Sequence, residues 1–226
     1  MLTNLYKIKL PKNLSNIENI FFIPFSQLLP KEFREKKSIE IPPGVGRLIR
    51  LSENSAIVYD TFSGQKAFFL ASLFYASGTE NIFFMGTAGT IAKKITAGTI
   101  SIPEPVYFND TISGINTDKV FKLNSNSYKI LNSICPKNKK SSLISVYSPI
   151  IEDELFINTM KKNKINLVEM EIAQLIIASE IYNKNIYPFV LISDLIEPNN
   201  WVTYYNLKEF KEQKQLLFNK IINYIF

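Results

Sequence analysis

The chain contains no histidine and a single cysteine, Cys135. Without an imidazole, Ser-His-Asp triads, Cys-His dyads and His-ligated metal centres are excluded. One cysteine closes no internal disulfide and builds no cysteine zinc site. It suits a reducing compartment, so the expected location is the cytoplasm. Arginine is nearly as scarce: Arg34, Arg47 and Arg50 are the three, and the rest of the basic charge is lysine. The net charge is +6 and the pI about 9.2. Nucleic-acid binders favour the arginine fork on bases and phosphates, so dispersed lysine reads as a solvated surface and no nucleic-acid partner is expected. Long apolar runs are missing as well. Stretches such as Ile20–Phe25 and Ile82–Met85 fall far short of the ~20 residues of a membrane helix. The first residues, MLTNLYKIKLPKN, lack the apolar core and small-residue cleavage site of a signal peptide.

What is present supports a packed domain. Of 226 residues, 46% are hydrophobic and 20% charged, enough to bury one core over residues 1–226. Short apolar runs predict buried strands at Ile20–Ile23, Ser55–Tyr59, Ile82–Met85, Thr99–Ile102, Leu143–Val146 and Phe189–Ile192. Apolar residues at helical spacing predict helices at Gln65–Ala76, Asp153–Lys162, Glu169–Tyr182 and Leu207–Phe226. Alternation of the two indicates a single α/β domain: a central mixed sheet, open or closed into a distorted barrel, flanked by helices. Pro42-Pro43-Gly44, Pro103-Glu104-Pro105 and Pro198-Asn199-Asn200 read as loops, and polar Asn109–Asn132 as a surface excursion.

Three short stretches carry candidate chemistry. Gly86-Thr87-Ala88-Gly89 reads as a turn after the Ile82–Met85 strand, where glycines allow close backbone approach and a threonine hydroxyl can hold an oxyanion. Val168-Glu169-Met170-Glu171 sets two carboxylates at the start of an apolar helix. They serve either as capping charge or as acceptors for diol hydroxyls. Ile192-Ser193-Asp194 ends a strand, where partial burial raises a carboxyl toward proton-donor range. An ordinary loop cap is the alternative.

The three in this order resemble the nucleoside phosphorylase and nucleosidase superfamily. NIFFMGTAGTIAKKITAGTISIPEPVYFND is similar to its strand, its G-[ST]-x-G turn and the following strand. SVYSP…ELF…VEMEIAQLIIASEIYNKNIYPFVLISD is similar to its base-pocket strand, V-E-M-E helix start and S-D strand end. The resemblance runs from about Ser55 to the C-terminus, and 22 residues separate Glu171 from Asp194, room for one helix and one strand.

The resemblance implies a ribosyl-transfer site on a small-molecule nucleoside. Glu171 would bind the ribose hydroxyls and Met170 pack on the sugar. Glu169, Val146 and Tyr147 would lie beside the base. Gly86 and Thr87 would face the acceptor, and Asp194 would protonate the departing purine. No cofactor is implied; phosphate is the expected co-substrate, with water or a purely binding role as alternatives. A homo-oligomer, dimer or trimer of dimers, is implied too.

The N-terminal third departs from the family pattern. A Gly-Asp-Pro-x-x-Arg loop is absent after Ile20–Ile23, Phe84 stands where many phosphorylases have an arginine, and Gln27 is the nearest polar residue to the nucleosidases' glutamate. Arg47 and Arg50 remain as candidate phosphate ligands: the resemblance implies that one of them corresponds to an arginine lent to the neighbouring subunit's phosphate site, and a structural role for either is the alternative.

Overall fold

The computed structural model describes residues 16–41, 44–109, 120–148, 153–198 and 200–226. The first strand, β1 (Asn19–Ile23), leads through a 3-10 turn at Ser26–Leu28 into the short α1 (Lys31–Arg34). A meander follows: β2 (Ile39–Ile41), β3 (Gly46–Arg50) and β4 (Ser55–Tyr59). Next come α2 (Gly64–Ala76), β5 (Asn81–Thr90), β6 (Ile100–Phe108), β7 (Val120–Phe121) and α3 (Ser125–Ile134). The C-terminal half is β8 (Lys139–Ser145), α4 (Glu154–Lys162), β9 (Leu167–Glu169), α5 (Ile172–Tyr182), β10 (Asn185–Glu197), β11 (Asn200–Thr203) and α6 (Lys208–Ile225).

Five of these strands form a closed ring. β5 pairs with β10 in parallel, β10 with β6 antiparallel, β6 with β8 and β8 with β9 in parallel, and β9 returns antiparallel to β5. The mixed sheet therefore closes into a small distorted barrel. From β5 it also continues outward through β1, β4, β3 and β2. β1 and β4 are buried at nearly every position, as expected for strands with helices on both faces and no alternation in the sequence. Packing is led by Phe21, Phe22, Phe74, Phe84, Phe189, Phe210 and Phe218, all fully buried. α6 is docked by Phe210, Leu217, Phe218 and Ile221, a stripe at helical spacing. A second, smaller cluster, including Ile144, Val146, Phe156, Met160, Val168 and Ile196, fills the space under α4.

Several elements differ from the sequence expectation. Gly86–Gly89 is no turn: β5 runs on through both glycines to Thr90. Neither has a positive φ; they are needed for space. A Cβ on Gly86 would stand 2.5 Å from the Phe84 ring, and one on Gly89 2.3 Å from the Ile196 side chain. Pro103-Glu104-Pro105 lies inside β6, where the pairing with β8 slips between Pro103 and Val106. The expected Glu169–Tyr182 helix begins at Ile172, because Leu167–Glu169 pairs with β8 and β5 as β9. Phe189–Ile192 is the middle of a strand that continues to Glu197. Of the polar Asn109–Asn132 stretch, Ser125 onward is helical and 110–119 lie outside the described residues, as do Pro42, Pro43 and Asn199.

Candidate active site

The corner where β8, β9 and α5 meet is built from one buried network. The Val146 N–H donates to the Glu169 carbonyl at 2.8 Å, locking the end of β8 to β9. The Glu169 side chain turns toward the helix. Its Oε2 accepts from the N–H groups of Glu171 (2.7 Å) and Ile172 (2.9 Å), and its Oε1 accepts from the Ser145 hydroxyl. Ser145 Oγ in turn accepts from Ala173 N–H at 2.9 Å. Three N–H groups at the start of α5 that would otherwise be orphaned, those of Glu171, Ile172 and Ala173, are thereby satisfied. Both Glu169 oxygens are spent on this cap, so its carboxyl is not free for a base.

Glu171 lies at the N-terminal flank of α5 and is 4% exposed. Its Oε1 accepts from the Ser63 N–H at 3.0 Å, across from the start of α2. Ser63 itself caps α2 through its hydroxyl, with φ of 107°. The start of α2 is thus tied to the residue that opens α5. Burial pushes both Glu169 and Glu171 well above the usual carboxylate range; the Glu169 charge pushes Glu171 further, and the accepted hydrogen bonds pull Glu169 back. Close approach of the helices depends on Gly64, where a Cβ would stand 2.7 Å from the Met170 carbonyl.

Asp194 follows a bulge in β10: the pairing with β5 skips Ser193. Ser193 Oγ donates to Asp194 Oδ2 at 2.5 Å, and Thr203 on β11 adds a second hydroxyl. Burial pushes the Asp194 carboxyl up, and these two hydrogen bonds oppose the rise. The registers put Asp194, Gly89, Val168 and Ile144 in one row across β10, β5, β9 and β8. The Asp194 backbone is therefore two strand spacings, about 10 Å, from the β9 segment that leads into Glu169 and Glu171. Thr87 lies two residues before Gly89 on β5, with its hydroxyl 3.1 Å from that of Tyr205. Met170 is half-buried against the cluster under α4, and Tyr147, just past β8, is 52% exposed.

The ring thus gathers Gly86, Thr87, Val146, Tyr147, Glu169, Met170, Glu171 and Asp194 on adjoining strands. It does not gather the arginines. β3 is three strands out from β5, about 14 Å at the usual spacing. Arg50 closes the β3–β4 hairpin by donating to the carbonyls of Ser52 (3.0 Å) and Glu53 (2.7 Å). Arg47 donates to Ser38 Oγ at 3.0 Å and borders a cavity of about 320 Å³ shared with Glu40, Gly44, Gly46 and Asp60. Two carboxylates beside it make that cavity a poor anion site. A cavity of about 690 Å³ between the β5–β6 loop and α6 contains none of the candidate residues. Gln27 engages Lys214 through its backbone carbonyl. The sequence did not single out Ser145, Ser63 or Tyr205. Ser63 carries a legible N-cap signal ahead of the α2 pattern; the other two are linked only by long-range contacts. Among the described residues no helix is long and apolar enough to cross a membrane.

The closed barrel with its flanking helices is the nucleoside phosphorylase/nucleosidase fold. No family model matches the chain, and no curated protein matches it by sequence. Solved structures do. The Campylobacter jejuni 5'-methylthioadenosine/S-adenosyl homocysteine nucleosidase superposes with a TM-score of 0.70 at 12% identity, over 92% of this chain and 97% of that one. The AMP nucleosidase from Bacteroides thetaiotaomicron gives 0.70 at 15% identity, over 92% and 88%. The futalosine hydrolase of Helicobacter pylori gives 0.67 at 13% identity, over 92% and 99%.

Proposed function

We propose that the protein is an enzyme that cleaves the N-glycosidic bond of a purine nucleoside, with water as acceptor. The carrying observation is the buried Glu171 carboxyl, which accepts the Ser63 N–H at the start of α2 and follows β9, two strands along the barrel wall from the partly buried Asp194. Cleavage of such a bond builds positive charge on the sugar and negative charge on the leaving base, as in glycoside hydrolysis. Glu171 would hold the ribose hydroxyls. Asp194, raised by burial, would supply the proton to the base. Exposed Tyr147 would stack on the purine, and the Thr87 and Tyr205 hydroxyls would border the acceptor.

Water is favoured over phosphate by the arginines. Arg50 is committed to its hairpin, and Arg47 faces Glu40 and Asp60. Charged hydrogen bonds to an anion are worth about 1.5–3 kcal/mol each, so a phosphate site without them would be weak. The sequence expectation of phosphate survives as a second reading on one observation: Arg47 pairs with Tyr59, at the C-terminal end of β4, the sheet end from which the α2 loop and Ser63 arise. We also propose a cytoplasmic homo-oligomer, with exposed Tyr147, Trp201, Val202 and Tyr205 as contact surface. Binding and turnover of adenosine, inosine and methylthioadenosine by Asp194→Asn and Glu171→Leu test the roles. Asp194→Asn should bind and not turn over; Glu171→Leu, which can neither donate nor accept a hydrogen bond, should lose both. Unchanged turnover in Asp194→Asn removes it as the acid, and binding without turnover by the native protein makes it a nucleoside-binding homologue.

A further inference from the structure

We propose that Glu169 and Glu171 hold a single proton between them, that it resides on Glu171, and that the Ser145 hydroxyl keeps it there. The hydrogen-bond directions carry this. Glu169 receives donors only: the N–H groups of Glu171 and Ile172 on Oε2, and Ser145 on Oε1. Ser145 Oγ accepts from the Ala173 N–H and donates its one proton to Glu169 Oε1. A protonated Glu169 would have no acceptor for its proton without turning the Ser145 proton away from its partner. A carboxylate ringed by donors is stabilised in its charged form.

Glu171 stands differently. Its side chain accepts from the Ser63 N–H, with the Met170 backbone as a further contact, and no hydroxyl among the described residues bonds to it. It is buried and faces the negative charge of Glu169 across a two-residue step. Two anions there would be costly, and the less solvated partner keeps the proton. The surrounding groups do not change this. Lys66 on the first turn of α2 is exposed, and Asp60 before α2 accepts from the Ser26 N–H. From β8 the facing group is Ser145, and among the described residues no cation acts on either glutamate.

If the ribose-site reading holds, the consequence is specific. A neutral Glu171 can donate one hydrogen bond to a sugar hydroxyl oxygen and accept another, which a carboxylate cannot. Ser145 is then a positioning residue that acts through charge.

The test needs no substrate. Carbon-13 NMR of glutamate side-chain carboxyls is followed against pH in the native protein, Glu171→Gln, Glu169→Gln and Ser145→Ala, with circular dichroism to confirm folding. The native protein should show a carboxyl titrating well above the ordinary range, absent in Glu171→Gln. In Glu169→Gln the Glu171 signal should move down by on the order of one pH unit or more, since a neighbouring charge is gone. Ser145→Ala should lower it in the same sense. Loss of the high-titrating signal in Glu169→Gln instead of Glu171→Gln would overturn the assignment, as would an unmoved signal in a folded Ser145→Ala. If Ser145→Ala fails to fold, Glu169→Gln decides alone. None of these outcomes depends on catalysis, so an inactive protein that passes this test refutes only the proposed function.

Discussion

Gly64→Ala puts one methyl group where α2 and α5 meet. Elsewhere in a helix this exchange stabilises, by about 0.5–1 kcal/mol, because alanine loses less backbone freedom. Here the new Cβ would stand 2.3 Å from Gln174 Nε2, 2.4 Å from its Cδ and 2.7 Å from the Met170 carbonyl. Gln174 can swing aside; the carbonyl is backbone and sits between Glu169 and Glu171. Overpacking of this kind costs about 1–3 kcal/mol, so after the propensity gain the net loss runs up to about 2.5 kcal/mol. For a chain of this length that lowers the melting temperature by up to roughly 10 °C. Thermal unfolding followed by circular dichroism measures it. Adding Gln174→Ala should recover part of the loss, because the two sites share a contact and do not add. A Gly64→Ala protein that melts at or above the native temperature would refute the close approach of the two helix ends.

Ser145→Ala leaves the Ala173 N–H and one Glu169 oxygen without partners at a fully buried position, and should cost about 1–3 kcal/mol in chemical denaturation. Asp194→Asn should reduce base release by on the order of 10²–10⁴-fold at saturating substrate if it supplies the proton; equal rates would exclude it. Stability should fall as pH rises. The carboxyls of Glu169, Glu171 and Asp194 are all raised on folding, so the folded chain binds more protons than the unfolded one. Their contribution is complete below the ordinary carboxylate range and is lost as pH rises through the raised values. The denaturant midpoint should therefore be lower at about pH 8 than at about pH 5, and Glu171→Gln should flatten the difference. A midpoint that rises over that span would contradict the buried pair.

The strands with continuous apolar runs were legible from sequence, because burial on both faces needs β-branched and aromatic residues without interruption. Ser55–Tyr59 is β4 to the residue. Where a strand depends on a distant partner, sequence was silent. β5 passes through Gly86 and Gly89 because Phe84 and Ile196 fill the space their side chains would take, and three-residue β9 exists only through pairing with β5 and β8. The site shows the same division. The order of Thr87, Glu171 and Asp194 along the chain was readable, and the barrel brings their strands together. Capping charge was one of the two sequence readings of the glutamate pair, and Glu169 fills that role by accepting the Glu171 and Ile172 N–H groups; its link to Ser145, 24 residues earlier, was not readable. Nor was the separation of Arg47 and Arg50, which follows from the number of strands between β3 and β5.

The most direct measurement is release of free base from inosine, adenosine and methylthioadenosine, with phosphate varied from about micromolar to millimolar, the usual span of KM. The account predicts release from at least one purine nucleoside at a rate independent of phosphate, with the free sugar as the other product, ribose from inosine or adenosine and methylthioribose from methylthioadenosine. Release that requires phosphate and yields a sugar phosphate would contradict water as acceptor and return attention to Arg47. No release from any of the three, with none bound, would contradict the proposed activity itself.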